Sequence, residues 1–355
     1  MTGVSFTKPV SGKPVSGRPF ARPVATRAVD FLVRNPLLVL LIAMVVLVQI
    51  ATGAQLNWQN LRGVLLDVAI IAIAAVPCAM IVIAGYIDLS VGSTLALGGV
   101  VAGMLLRDGA GTPAAVLVAI AVGALVGAVN GLLTAWLGLS PFIVTLGTLT
   151  AVRGFAQLLS PYAPSGFGTS FTTLGVGAVN GIPIPVLIAA VIVIAAGVFL
   201  TLTPTGRHVF AVGVNREAAF LSGVQTRAIP FWLFTLSGAA AGLAGVITVA
   251  RLNSAPPGQL GTGFELSVLA AVLLGGVALT GGEGSMFGVV VGVLFMGLLT
   301  NSLVLLGVTT FWQSIASGAA LVAAIGISAS THRLQHRLTA ARTKRQAAGT
   351  PATSR

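Results

Sequence analysis

From residue 36 to residue 328 the chain is a series of apolar runs, each close to the length that crosses a bilayer. A helix needs about 20 residues, rising about 1.5 Å each, to span roughly 30 Å of hydrocarbon. On that measure about ten spans are predicted, near 36–53, 63–84, 88–106, 114–136, 142–160, 183–202, 229–250, 264–281, 286–306 and 310–328. Charged side chains make up 7% of the 355 residues, against about 25% in an average soluble domain. A water-facing surface cannot be built from that inventory. The fold class is therefore an all-α polytopic membrane protein, and the 45 glycines suit helices that approach closely in lipid.

The net charge of +12 sits mostly at the ends. Lys8, Lys13, Arg18, Arg22, Arg27 and Arg34 precede the first span, and Arg333, Arg337, Arg342, Lys344, Arg345 and Arg355 follow the last. Basic flanks mark the cytoplasmic side, so both termini are expected inside, and nucleic acid is not the expected partner. Residues 1–34, rich in Pro, Ser and Gly, read as a disordered basic tail, 35–330 as the transmembrane domain, and 331–355 as a second basic tail. The basic region before the first span is too long for a convincing signal peptide. Cys78 stands alone, so no disulfide or cysteine-based metal site forms within one chain. The predicted outer loop at 161–182 holds no Lys or Arg, while Arg62, Arg107 and Arg251 run against the charge bias.

An internal repeat supports the span count. Ile87–Gly99 reads IDLSVGSTLALGG and Phe264–Gly276 reads FELSVLAAVLLGG. A second pair, NGLLTAWLGLSPF from Asn130 and NSLVLLGVTTF from Asn301, follows in the same order. The repeat relates spans 2–5 to spans 7–10. Its first members begin the third and eighth spans, which run in opposite directions, so the topology would be inverted, a common transporter architecture.

Few polar residues interrupt the spans. Asp88 and Glu265 each begin a span in a Gly-rich context; they either line the pathway, with Ser90, Ser93 and Ser267, or cap helix N-termini. Arg62, five residues before Asp67, is poorly placed for an i,i+4 pair, so the role of Asp67 is open, a buried structural hydrogen bond being the favoured reading. Arg153 either snorkels to the interface or faces the pathway or another subunit, and Asn130 and Asn301 are expected to bond between helices. There is no Ser/His/Asp set in a plausible loop, no G-x-x-x-x-G-K-[ST] phosphate loop, and His208, His332 and His336 all lie in segments expected inside. Catalysis, in-chain ATP hydrolysis by a phosphate loop and a cofactor site are accordingly not expected.

One long polar segment lies between the two halves: TPTGRHVFAVGVNREAAFLSGVQTRAI, Thr203–Ile229. The charge bias puts it in the cytoplasm. Asn215 is a candidate N-cap, Arg216–Leu221 are good helix formers, and Gly223 is a stop. Phe220, Leu221 and Val224 give this short helix an apolar side, which calls for a protein partner or lies on lipid headgroups.

The stretches GYIDLSVGSTLALGG, NGLLTAWLGLSPFIVTLGTLTAVRG, TPTGRHVFAVGVNREAAFLSGV and FELSVLAAVLLGGVALTGGEGSMFGVVVG with NSLVLLGV resemble the permease subunits of ribose-type ABC importers, a group that includes branched-chain amino acid permeases. The resemblance implies that the E-A-A-x3-G loop holds a coupling helix for an ATP-binding cassette ATPase subunit, with Gly206, Arg207, Gly213, Asn215, Glu217, Ala218, Ala219 and Gly223 in that segment. Val214 and Val224 depart from the family's frequent Gly and Ile. It further implies a second permease subunit enclosing the pathway, an extracytoplasmic sugar-binding protein, a location in the cytoplasmic membrane with lipid around it, and a monosaccharide such as ribose as substrate. ATP would be used by the partner. The rival expectations are a self-sufficient secondary transporter, which the scarcity of intramembrane acids disfavours, a permease for a non-sugar solute such as an amino acid, and a membrane scaffold or channel.

Overall fold

A computed structural model of the chain describes residues 36–309 and 311–326; the two predicted tails lie outside the described residues. The helices are α1 (Pro36–Thr52), α2 (Trp58–Ile83), α3 (Val91–Arg107), α4 (Thr112–Gly131), α5 (Pro141–Leu159), α6 (Thr169–Val176), α7 (Ile184–Leu202), α8 (Pro204–Val214), α9 (Arg216–Leu221), α10 (Ala228–Leu252), α11 (Phe264–Leu274) and α12 (Met286–Leu305), followed by α13 (Phe311–Gly326). A π turn, Leu132–Trp136, continues α4. Among the described residues, six helices (α2, α4 with its π turn, α5, α7, α10 and α12) are long and apolar enough to cross a membrane by length and composition; α1, α3, α11 and α13 are shorter apolar helices. The protein is thus all-α and polytopic.

At the centre lie α2, α3, α10 and α11, with the others around them. Burial grades the helices: 83% of the α2 window is buried inside the protein, against 11% for α5. What lets the central helices close on one another is the absence of side chains. Along α10 the run SGAAAGLAG (Ser237–Gly245) faces α3 and α4. A β-carbon at Gly238 would overlap the Gly123 carbonyl oxygen, one at Gly123 would overlap that of Gly238, and one at Gly245 would overlap that of Leu95. In lipid there is no hydrophobic drive between helices, so such backbone-to-backbone contact supplies the packing energy.

Three expectations need correction. The span predicted at 264–281 is helical only to Leu274. Gly276, Gly281, Gly282 and Gly284 all take positive φ, and residues 275–285 form a turn instead. The span predicted from residue 88 starts its helix at Val91, because Ile87–Ser90 run in a non-helical stretch. The predicted loop at 161–182 is not featureless: it holds α6 and then a hairpin, Ala178–Val179 with Ile182–Pro183, turned by Asn180–Gly181 with φ of 50° and 82°. Positive φ at both turn residues suits the two-residue hairpin loop.

The two shortened helices meet at their N-termini. A β-carbon on Gly92, at the start of α3, would lie 2.6 Å from the Gly261 carbonyl oxygen, and one on Gly261 would collide with that of Gly92.

Gly238→Leu is expected to destabilise the protein by at least the 1–3 kcal/mol, roughly, of core overpacking. Thermal unfolding followed by size exclusion in detergent checks this. Gly197→Leu on α7, which meets open space, should leave the melting curve unchanged.

Candidate functional site

Asp88 sits on the non-helical run between α2 and α3 and is 3% exposed. Its Oδ1 accepts the Ser90 backbone N–H at 2.9 Å and the Ser90 hydroxyl at 2.6 Å, and its Oδ2 accepts the Ser237 hydroxyl of α10 at 3.1 Å. The Ser90 Oγ in turn accepts the Asn130 amide of α4 at 2.9 Å, and the Asn130 Oδ1 accepts the Thr148 hydroxyl of α5 at 2.6 Å. Ser93 donates back to the Ser90 carbonyl at 2.9 Å. One carboxylate therefore organises a chain of hydrogen bonds through α3, α4, α5 and α10. A buried carboxylate left unanswered would cost several kcal/mol, roughly, which explains why each oxygen is occupied. Asp88, Ser90 and Ser93 are all buried in this conformation. Ser237 and Thr148 carried no signal in the sequence reading; each is an ordinary small polar residue on an apolar helix.

Glu265 occupies the first turn of α11. Its Oε2 is buried with no hydrogen-bond partner among the described residues and lies 3.9 Å from the Arg153 guanidinium. Arg153 does not snorkel. Its side chain is 17% exposed and donates to the Leu260 and Gly261 carbonyls at 2.8 and 2.9 Å and to the Thr262 hydroxyl at 3.2 Å. It ties α5 to the loop that leads into α11. Ser267 is half-buried, 3.4 Å from the Gly263 carbonyl.

Asp67 makes a structural hydrogen bond, but not a buried one: its side chain is 46% exposed and accepts from the Arg251 guanidinium at the end of α10 as an ion pair. Arg62 donates to the Val176 carbonyl at 2.7 Å. Arg107 pairs with the exposed Asp108 at 3.3 Å, so all three arginines that broke the charge bias have partners. The Asn301 amide is exchanged with Asn60 at 2.8 and 3.0 Å, an interhelical pair as expected.

The polar segment between the halves forms two helices, of which the sequence indicated only the second. In α8, the Thr203 hydroxyl caps the Gly206 N–H at 2.9 Å. Gly206 presses on the Phe199 carbonyl and Gly213 on the Ile83 carbonyl, with no room for a β-carbon at either. Asn215 caps α9, its Oδ1 accepting the Ala218 N–H at 2.9 Å, and Gly223 ends the turn at φ 82°. Ala219 is buried, while Glu217 and Ala218 are exposed, as are Arg207 and His208 on α8. Phe220 and Leu221 are 67% and 80% exposed, beside exposed Val214. The fold thus presents a short, capped helix that packs Ala219 inward and leaves Phe220 and Leu221 largely exposed, a shape suited to seating in a partner's groove; Val224, expected on the same apolar side, instead packs half-buried against the core.

The family model described as "Branched-chain amino acid transport system / permease component" matches residues 60–325. The ribose import permease protein RbsC of Escherichia coli (strain K12) is 38% identical over 293 residues, 80% of this chain and 91% of the relative. The D-allose transport system permease protein AlsC of the same organism is 39% identical over 249 residues, 70% of this chain and 76% of the relative. The autoinducer 2 import system permease protein LsrD of Photorhabdus temperata is 32% identical over 309 residues, 85% of this chain and 92% of the relative. No solved structure matches. With most of its length matched by that model and by such relatives, the chain belongs to the branched-chain amino acid transport system / permease component family.

Proposed function

We propose that this chain is the membrane-spanning permease subunit of an ATP-driven importer of a monosaccharide, ribose or a related sugar, in the cytoplasmic membrane. The observation that carries the reading is α9, a capped helix with exposed Phe220 and Leu221 on the polar segment that joins the two halves. The substrate class rests on the relatives, whose names specify ribose and D-allose import. The family model's own description names branched-chain amino acids, so an amino acid is the competitor to be tested. A self-sufficient secondary transporter is not favoured: of the two acids at the starts of α3 and α11, Asp88 is fully engaged in structural hydrogen bonds and Glu265 lies beside the Arg153 guanidinium.

In this reading the chain crosses the membrane ten times, α1–α5, α7 and α10–α13 being the spans, with both tails in the cytoplasm and the halves related as an inverted repeat. The meeting of α3 and α11 at Gly92 and Gly261 is what such a repeat would produce. A separate ATPase subunit supplies ATP hydrolysis and receives α9. Glu217, Ala218 and the apolar tip form the docking surface; Gly206, Gly213, Asn215, Ala219 and Gly223 hold its shape; Arg207 lies beside it. A second permease subunit packs against α5, the least buried of the six long helices, and encloses the pathway. Glu265 and Ser267 border that pathway at the start of α11. Asp88, Ser90 and Ser93 hold the matching start of α3 and reach it as the helices part. An extracytoplasmic sugar-binding protein delivers substrate at the opposite face from α9, and lipid covers the remaining helices.

Tagged protein should co-purify with an ATPase, and Glu217→Arg with Ala218→Asp should abolish that capture and lower sugar uptake at least tenfold without changing the melting curve, since both side chains are exposed. Uptake equal to that of the unaltered chain would sink the docking assignment. Sidedness can be read by thiol labelling, because the chain's single cysteine, Cys78, is fully buried. Tyr162→Cys should react with an impermeant maleimide in intact cells, and Phe220→Cys only after the membrane is opened.

A further inference from the structure

The helix α9 is bolted to the membrane core at two points, and the geometry of both is specific. Gly213, two residues before the Asn215 cap, lies against the Ile83 carbonyl and the Gly282 backbone nitrogen, where any β-carbon would overlap them. Gly282 also donates its N–H to the Ile83 carbonyl at 2.8 Å. The second point is Arg216, the first residue of α9. Its guanidinium donates to the Ala135 carbonyl at 3.2 Å and stands 6.0 Å from the centroid of the Tyr86 ring. Ala135 belongs to the π turn that ends α4, where terminal carbonyls lack helical partners. Tyr86 is buried, meets Phe234 of α10 edge-on at 6.0 Å, and has a hydroxyl with no hydrogen-bond partner among the described residues. A cation within about 6 Å of an aromatic face is attracted by the ring quadrupole.

Ile83 and Tyr86 bracket the break between α2 and α3, where Gly85 takes φ 84°. Two residues beyond Tyr86 is Asp88, whose hydrogen bonds fix the start of α3 against α4, α5 and α10. The route from α9 to the centre of the helix bundle is thus short and made of rigid parts.

We propose that Arg216 and Tyr86 form a joint that transmits movement of α9 to the Tyr86–Ser90 run and hence to the start of α3. Both act as positioning residues. The inference deepens the functional reading and rests on α9 being the helix that the ATPase moves. The Tyr86 contribution is its ring and not its hydroxyl, since that hydroxyl has no hydrogen-bond partner among the described residues.

A double-mutant cycle tests the joint, with ATPase capture, ATP hydrolysis and sugar uptake measured on the reconstituted complex. Tyr86→Leu should retain ATPase capture within twofold, lose uptake at least tenfold, and leave hydrolysis no longer stimulated by loaded binding protein. Arg216→Gln should lose uptake similarly, and the double variant should be no worse than the weaker single, because both remove one interaction. Tyr86→Phe should transport within twofold of the unaltered chain and Arg216→Lys should recover part of the loss, which keeps the test decisive if Tyr86→Leu unfolds. Multiplying losses in the double variant, a Tyr86→Phe defect as deep as that of Arg216→Gln, or full uptake by Arg216→Gln would overturn the joint. An unaltered chain that captures no ATPase would instead overturn the functional reading beneath it.

Discussion

A carboxylate buried among apolar helices has to be answered by the protein, because no bulk water reaches it. Asp88 is that carboxylate, and the centre of the fold follows from how it is answered. Ser90 turns back to hold it from the same run, Ser237 reaches it from α10, and Asn130 and Thr148 extend the network to α4 and α5. This interaction specifies which way α3 starts and which helices it starts between. Apolar contacts alone, nearly equivalent along these Ala-, Val- and Gly-rich surfaces, would leave the register poorly defined. The glycines of α4 and α10 then let the helices come close enough for such short side chains to meet.

What the sequence made legible was what is local. Asn215 as a cap and Gly223 as a stop are chemistry read within nine residues, and both are present in α9. Each apolar run contains a helix, because hydropathy over about 20 residues is a property of the run itself. The failures are of two kinds. Partners far apart in the chain, such as Ser237 for Asp88, Arg251 for Asp67 and Leu260–Thr262 for Arg153, have no local signature. Broken elements were concealed by hydropathy. Residues 275–281 are apolar enough to continue a span, although the paired glycines at 275–276 and 281–282 signalled the turn. Asn180–Gly181 likewise marked a hairpin inside what read as a plain loop.

The location of polarity links fold to function. The interior uses its polar groups to fix the start of α3 and the loop before α11, while the segment Thr203–Ile229 leaves Phe220 and Leu221 largely exposed. A protein that transports by moving helices needs a rigid input and a defined point of action. In the proposed joint, Gly213 and Arg216 would supply the first, and the start of α3 the second.

The central claim is that this chain passes a monosaccharide only when a separate ATPase hydrolyses ATP. It is tested most directly by reconstituting the chain in proteoliposomes with its ATPase and sugar-binding protein and following radiolabelled ribose. The account predicts uptake that requires all three proteins and hydrolysable ATP and that is insensitive to dissipating the proton gradient. Uptake by the chain alone, or uptake that follows the proton gradient and ignores ATP, would contradict it.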